Sequence, residues 1–192
     1  MRLPKCKICK KEFKPFQSTQ QVCGWECAQK FAEQKRLKKE RKEHREARER
    51  LKTTGDWIAD VQAVFNRYIR LRDEALPCVS CGRTEVEWTR GGRWDAGHFL
   101  SVGSHPELRF HEDNVHKQCK KCNGGAGKYA KKNYSVSAAY EIELISRIGQ
   151  GKVDWLKGPH EPKHYTIDEL IELKKLYQQK FKELQRKSLS NE

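Results

Sequence analysis

Long apolar runs are missing from this 192-residue sequence, and none approaches the roughly 18 residues that a membrane-spanning helix needs. The N-terminal stretch MRLPKCKICK also lacks the apolar core of a secretory signal. Both absences argue against a membrane protein and predict a chain that stays in the cytoplasm. In that reducing compartment eight cysteines are poor candidates for four disulfides, so their spacing is interpreted first as metal ligation.

Acidic residues are too few to balance the basic ones. The chain has 26 Asp and Glu against 40 Lys and Arg, which gives a net charge of +14. A surplus of this size predicts a polyanionic partner, and nucleic acid is the leading candidate because neutralising phosphates dominates its binding. The alternative, a basic protein that is merely soluble, is less favoured because Trp, Tyr and Arg suit stacking on bases.

The eight cysteines form four close pairs, which predict two four-thiolate sites. A two-residue gap lets a tight turn direct both sulfurs at one ion, and two such knuckles supply the tetrahedral shell that Zn²⁺ prefers. Iron is an alternative that the same spacing permits. The predicted ligands are Cys6, Cys9, Cys23 and Cys27 in the first quartet and Cys78, Cys81, Cys119 and Cys122 in the second.

Residues 1–27 are predicted to form a small four-cysteine zinc finger whose folding depends on the metal. Residues 28–55 follow as a basic helix and linker, and the stretch 28–52 contains neither Pro nor Gly. Because residues 1–55 carry 17 basic and 7 acidic side chains, this segment is interpreted as the arm that holds phosphates. The less specific alternative is a solvated helix. Its predicted DNA contacts are Lys35, Arg36, Lys38, Lys39, Arg41 and Lys42.

Residues 56–192 are predicted to form one α+β domain around the second quartet. Apolar residues at helical spacing from Trp57 to Leu71 predict a helix packed on the core, and the 37 residues between Cys81 and Cys119 leave room for a β-hairpin and loops. A loop is expected from Trp155 to Tyr165. The capping box that follows begins the C-terminal helix, which is interpreted as structural or as a dimer contact.

A closed four-thiolate site requires only its cysteines. The sequence around the second quartet contains further polar residues that such a site does not need: Asp95, His98, Asn114, His116 and Asn123. Their order outlines a ββα-metal arrangement, in which a strand presents a histidine, an Asn braces a loop, and a helix returns a metal ligand. A histidine so placed can take a proton from water while Mg²⁺ or Mn²⁺ neutralises the scissile phosphate. Nearby residues predicted to contact phosphates are Arg109, Lys117, Lys120, Lys121 and Lys128.

This order resembles the HNH nuclease superfamily. The resemblance implies that His98 is the general base, Asn114 the bracing residue and Asn123 the metal-side residue. Asp95 departs from the pattern, because it lies three positions before the base and would face the other side of an ideal strand. It is expected to join the metal only if Gly97 permits a bulge. For His116 three roles stay open: a Mg²⁺ or Mn²⁺ ligand, a phosphate contact, or a partner of the zinc thiolates.

A closer resemblance covers nearly the whole chain. The strings WDAGHF, ELRF, NVHKQC, CN and ELISRIGQ, after an N-terminal CKIC and a charged helix, resemble the phage lambda NinG family of recombination proteins, also called Rap. The resemblance implies a metal-dependent endonuclease acting on Holliday junctions and D-loops in the bacterial host cytoplasm. It also makes branched DNA and other recombination proteins the expected partners, and the two-fold arms of a junction suit a homodimer.

Two other functions stay open at this point. A non-catalytic zinc-finger protein that binds DNA and recruits recombination enzymes would share both quartets and every basic residue. An RNA-processing factor would share the charge. The polar residues beyond the cysteines, Asp95, His98, His116 and Asn123, distinguish a nuclease from a non-catalytic recruiting protein.

Overall fold

The structure, a computed structural model, describes residues 3–88, 92–124 and 134–190. The chain divides into two compact units, Met1–Lys52 and Thr53–Glu192. Secondary structure is mixed, with helices α1 to α6 and a single described sheet of two strands, β1 and β2. No described helix has both the length and the apolar character to cross a membrane.

The first unit consists of a cysteine-bearing turn and one long helix. The isolated bridge between Lys5 and Glu12 closes the turn that carries Cys6 and Cys9. Helix α1 spans Trp25–Arg50 and buries none of its residues, as its many charges require. The predicted helix over 28–52 is thus confirmed, with its start moved to Trp25 so that Cys27 lies in the first turn.

Helix α2 spans Thr54–Arg72 and begins at a complete capping box. The side chain of Thr53 accepts from the amide of Asp56, and the carboxylate of Asp56 accepts from the amide of Thr53. The predicted apolar face is buried, and Phe65 at its centre is fully enclosed. This face forms the floor on which the β-hairpin packs.

The β-hairpin pairs β1, Trp94–His98, with β2, Val115–Cys119, in antiparallel register. Two short 3₁₀ turns, Pro106–Leu108 and Glu112–Asn114, lie in the connection between the strands. Helix α3, Lys120–Gly124, starts directly where β2 ends and carries Cys122. The predicted hairpin and the helix after it are both confirmed.

Three helices complete the second unit: α4, Tyr134–Ile148; α5, Gln150–Lys157; and α6, Ile167–Ser190. Gly149, at φ 86°, ends α4, because a left-handed backbone breaks the helical hydrogen bonding. The loop predicted from Trp155 is wrong at its start, since α5 runs through Lys157. The true loop is 158–166.

The core lies in two apolar clusters. In the larger, α2 and α6 pack against Ala96 and Val115 of the hairpin, with Phe65 and Tyr177 in edge-to-face contact at 4.7 Å. In the smaller, Tyr140 and Leu144 of α4 meet α5 and the loop after β1. Helix α6 is therefore a structural element of this unit. The β-hairpin lies between the two clusters and is held from both sides.

Candidate metal centres and the polar site beside the second

The first halves of the two quartets adopt the same backbone conformation. The amide of Cys6 donates to the carbonyl of Lys11 at 2.9 Å, and the amide of Lys10 donates to the carbonyl of Cys6 at 3.0 Å. From Cys78 the same two bonds recur at 2.8 and 2.9 Å. The residue after the second cysteine is left-handed in both turns, with φ 63° at Lys10 and 70° at Gly82. The chain therefore contains two copies of one knuckle.

Each knuckle meets a second pair of cysteines, and both sets of four converge. All four sulfurs of each quartet lie within 4.8 Å of one another. The measured contacts are 3.6 Å for Cys9 to Cys23, 3.6 Å for Cys23 to Cys27 and 3.8 Å for Cys81 to Cys119. A tetrahedron with Zn–S bonds of about 2.3 Å has sulfurs about 3.8 Å apart, so both quartets could hold Zn²⁺.

Backbone amides favour the ionised form of the first thiol of each knuckle. Burial raises the pKa of Cys6, but amides of its own knuckle donate to the sulfur and bring its pKa down to about 6. Burial also raises the pKa of Cys78, but amide donors outweigh it and the net pKa is lowered. One of these donors, the amide of Cys119, lies 3.2 Å from the sulfur. Zinc binds thiolates, so these amides prepare the ligands.

Two other thiols, Cys23 and Cys122, favour the neutral form, which a bound cation would reverse. Hydrogen bonding to Cys9 raises the pKa of Cys23 to about 12, and burial raises the pKa of Cys122 well above its usual range. Four sulfurs packed this closely cannot all ionise against one another without a positive charge among them. The donor set thus fits a closed structural metal and no open catalytic one.

A polar group of three side chains lies beside the second quartet. Asp95 accepts a hydrogen bond from Nδ2 of Asn123 at 3.0 Å and pairs with Nζ of Lys120 at 2.8 Å. Asp95 comes from β1, whereas Lys120 and Asn123 come from α3, one on each side of Cys122. The metal knuckle therefore fixes the helix that meets the carboxylate.

The carboxylate reaches this group from a regular strand. The hairpin register is unbroken from Trp94 opposite Cys119 to His98 opposite Val115, so the strands contain no bulge at Gly97, the condition set for Asp95 to join one metal site with His98. Gly97 has another role, because a Cβ there would lie 2.0 Å from Oε1 of the buried Gln118 side chain. Asp95 and His98 point to opposite faces of the hairpin, as the alternation predicts.

His98 is held by the loop that follows its strand. Its Nε2 lies 3.0 Å from the carbonyl oxygen of Arg109. A carbonyl only accepts, so Nε2 carries the proton and the lone pair is on Nδ1. Burial lowers the pKa of His98, and the charge of Arg109 lowers it further. The hydrogen bond to the Arg109 carbonyl raises the pKa, but not enough to offset these two effects. The ring is therefore neutral near pH 7.

Asn114 is fully buried and braces the same loop. Its Oδ1 accepts from the amide of Leu100 at 2.9 Å, and its Nδ2 donates to the carbonyls of Leu100 and Leu108 at 3.1 and 3.2 Å. Its own carbonyl accepts from the amide of Phe99 at 2.8 Å. These bonds set the path of the chain that presents the Arg109 carbonyl to His98.

His116 lies away from both groups, and the prediction that it is catalytic is corrected here. The side chain is buried, with Nδ1 3.1 Å from Arg72 and Nε2 donating to the carbonyl of Asp113 at 3.2 Å. Asp73, whose carboxylate also accepts from the amide of Lys117, lies 3.5 Å from Nδ1. Nδ1 therefore joins β2 to the end of α2, and Nε2 joins β2 to the 3₁₀ turn that precedes it.

The basic residues near the site separate into different classes. Lys117 is a correction: it is only 3% exposed, donates to the carbonyl of Glu74 and stacks 4.6 Å from the Trp94 ring, so it is not a surface contact for phosphate. Lys120 pairs with Asp95, whereas Lys121 is exposed. Lys128 lies outside the described residues.

Arg109 and the charges of α1 are placed where a phosphate could reach them. The guanidinium of Arg109 makes only a long contact, 3.4 Å, to Oε1 of Gln62. On α1 the six predicted residues are all exposed, and three of them pair with glutamates one turn further on: Arg36, Lys39 and Lys42. Exposed pairs of this kind are weak and leave these cations available.

One charged residue near the site escaped the sequence interpretation. Arg70 of α2 is half-buried, which lowers its pKa, and the Asp95 carboxylate acts on it in the opposite direction. Arg70 thus lies within the electrostatic reach of the polar group. Its position in a helix of mixed polarity gives no signal for this, because the meeting of α2 with β1 is a tertiary contact.

The chain is similar to known phage proteins over nearly its full length. The family model described as "Bacteriophage Lambda NinG protein" matches residues 1–187. Curated relatives named "Protein ninG" include those of Escherichia phage 933W, 38% identical over 94% of this chain and 92% of the relative, and Escherichia phage lambda, 37% identical over 92% and 89%. That of Salmonella phage P22 is 35% identical over 92% and 90%. No solved structure matches the chain.

Proposed function

The chain belongs to the NinG family of bacteriophage proteins, and from that premise we propose that it is a metal-dependent endonuclease acting on branched recombination intermediates such as Holliday junctions and D-loops. The observation that carries this proposal is the contact of Asp95 with Asn123 beside the second cysteine quartet. A closed structural zinc site has no use for that pair. Strand β1 carries Asp95 near one end and the neutral, oriented His98 at the other.

His98 has the properties of a general base. The bond to the Arg109 carbonyl fixes the tautomer and leaves Nδ1 as the acceptor, while burial keeps the ring unprotonated near pH 7. A water hydrogen-bonded to Nδ1 would lose its proton as it attacks phosphorus. Nδ1 of His98 has no hydrogen-bond partner within the described parts of the chain, so this position is open to water.

Asp95 and Asn123 fit a hard divalent cation. The carboxylate and the amide oxygen are the donor types that Mg²⁺ and Mn²⁺ prefer, and such ions are commonly bound by one or two protein groups with water and phosphate filling the rest. Asp95 and Asn123 would hold an ion that neutralises charge on the scissile phosphate. Because Asp95 and His98 point to opposite faces of the hairpin, the attacked phosphate would have to lie along the free edge of β1, where both faces can be reached. Arg109 would hold a neighbouring phosphate on the His98 side, and Lys121 one on the Asp95 side.

The order of elements supports an HNH-like, treble-clef core. A knuckle at Cys78, the strands β1 and β2, and the short helix α3 follow one another as in the superfamily that the sequence resembles. In this proposal zinc fixes α3, Asn114 fixes the loop, and β1 presents the reactive groups. Junction arms related by a two-fold axis would be cut by a homodimer, one subunit on each arm.

A non-catalytic DNA-binding accessory protein is the second candidate. The observation that favours it is the ion pair of Lys120 with Asp95, which already neutralises the carboxylate. In that case the polar group would only tie β1 to α3. The two candidates differ in one measurable property, cleavage.

The test compares the wild type with His98→Ala on a labelled four-way junction and a linear duplex. Binding and cleavage are scored together with Mg²⁺, with Mn²⁺ and with no added divalent ion, because a chelator would also remove zinc. Metal-dependent cleavage of the junction is expected, reduced roughly 10²- to 10⁴-fold by the substitution. Junction affinity and zinc content should be those of the wild type.

His164→Ala is the matched control, because it removes an exposed histidine from the loop 158–166. It should cleave as the wild type does. Cleavage that survives in His98→Ala would remove His98 from the mechanism. A wild type that binds the junction and cleaves it with neither metal would leave the accessory protein as the function.

A further inference from the structure

A groove between α2, the C-terminal helix and the start of β1 is left unexplained by this mechanism. Its volume is about 560 Å³. Four cationic residues and one acidic residue, Glu74, are among those that line it. Three of the cations are arginines: Arg67, Arg70 and Arg93.

These arginines lack a carboxylate partner among the described residues. No described carboxylate lies within ion-pair distance of any of the three guanidinium groups, although the second unit contains many salt bridges elsewhere. Arg67 instead lies 5.6 Å from the centre of the Phe181 ring. Guanidinium groups held in a groove without a counter-charge match what phosphate oxygens need.

The groove also has an aromatic platform. Trp88 is 74% exposed, an unusual state for the largest apolar side chain. No other aromatic ring or cation covers its faces among the described residues. Trp94 lies in the same groove with one face taken by Lys117 at 4.6 Å. An uncovered indole beside unpaired arginines is the combination that binds single-stranded nucleic acid.

The groove lies beside the candidate catalytic group. Arg70 lines the groove, and the charge of Asp95 raises the pKa of Arg70 against the effect of burial. Arg93 lines the groove and also a smaller cleft that contains Lys120 and Lys121. A strand lying in the groove would therefore bring its backbone to the edge of the Asp95 group.

We propose that this groove binds an unpaired segment of the branched DNA, with a base stacked on Trp88 and the flanking phosphates held by Arg67, Arg70 and Arg93. A paired base offers no free face to an indole, so duplex DNA cannot use the platform. This proposal rests on the proposed function in taking branched DNA as the substrate. It adds that the protein recognises unpaired DNA such as the displaced strand of a D-loop, which a fully paired four-way junction lacks.

The test measures binding of a fluorescein-labelled oligo(dT) and of a blunt duplex to the full chain, with no added Mg²⁺ or Mn²⁺. Trp88→Ala should weaken oligo(dT) binding roughly 5- to 150-fold, as expected for one lost base stack, and change duplex binding less than two-fold, about the scatter of such a measurement. Trp88→Phe should retain most of the affinity, because it keeps a ring. Trp155→Ala, which removes a half-exposed indole from α5, should bind as the wild type does.

A second arm tests the phosphate contacts. Arg67→Ala with Arg93→Ala should lower the salt slope of oligo(dT) binding by about 0.7 for each arginine removed. The proposal would be contradicted if Trp88→Ala bound oligo(dT) with wild-type affinity. It would also be contradicted if the substitution weakened oligo(dT) and duplex binding equally. Junction cleavage by the wild type is scored separately, so a missing nuclease activity and a missing single-strand site give different results.

Discussion

Single side chains in this protein take their chemistry from non-local partners. His98 owes its tautomer to a carbonyl eleven residues away and its lowered pKa to burial. Asn114 is a brace because three backbone groups of one loop point at it. The sequence named both residues, since their order relative to the cysteines is informative without coordinates.

Other single residues could not be assigned in this way. Lys117 and His116 lie in a short polar string that resembles an exposed site, yet both are buried. Their partners, Glu74 and Asp73, lie more than 40 residues earlier in the chain. Only the packing of α2 against β2 reveals them, and no local pattern encodes that contact.

The pH dependence of cleavage is the prediction that belongs to this scale. A general base must be unprotonated, so activity should be present at neutral pH and fall as the pH drops through the pKa of His98. Because burial lowers that pKa from its ordinary value near 6.5, the pH at which activity is half-maximal should lie below 6.5. Single-turnover cleavage of a junction between pH 5 and 8 measures it. A half-point at pH 7 or above would mean that another group titrates.

Helices and strands followed the sequence pattern more closely than side chains did. The charged stretch became α1, the apolar periodicity became α2, and the capping box became the start of α6, where Thr166 accepts from the amide of Glu169 at 3.2 Å. Helix α5 was not predicted, because only Gly149 separates it from α4 and its few apolar residues make a short pattern. Its burial of Val153 and Leu156 against α4 stabilises it.

Helix α1 carries a prediction about electrostatics. Lys38→Gln with Arg41→Gln should weaken duplex binding and lower its salt slope by about 0.9 for each charge lost, if each contacts a phosphate. Titrations at several salt concentrations measure the slope. Glu40→Gln with Glu43→Gln is the control of opposite sign and should strengthen binding. An unchanged slope in the first variant would show that α1 does not contact phosphates.

At the scale of the whole molecule, each of the two units contains a cysteine quartet that could hold a metal. The first unit has little core besides Cys6, whereas the second joins its quartet to two apolar clusters. Structural Zn²⁺ in small domains contributes on the order of 10–16 kcal/mol of binding free energy to folding. Zinc bound at the quartets would therefore supply a large part of the stability of either unit.

Cysteine variants test this dependence unit by unit. Cys119→Ser should reduce bound zinc from two ions to one and abolish the near-ultraviolet circular dichroism of the aromatic core. Cys9→Ser should also release one ion but leave that signal intact, since Phe65, Tyr68 and Tyr177 all belong to the second unit. Zinc analysis and circular dichroism on the two variants decide it. Two zinc ions retained in Cys119→Ser would show that the second quartet is not a zinc site.

If Asp95 binds a divalent cation as proposed, its ion pair with Lys120 would make the metal and DNA thermodynamically linked ligands. A divalent cation arriving at the carboxylate would compete with the ammonium group and release it. The freed Lys120, one residue from the exposed Lys121, is then available to a phosphate. Metal would raise the affinity for DNA, and by reciprocity DNA would raise the affinity for metal by the same factor. Without such an ion, Lys120 keeps the Asp95 carboxylate neutralised.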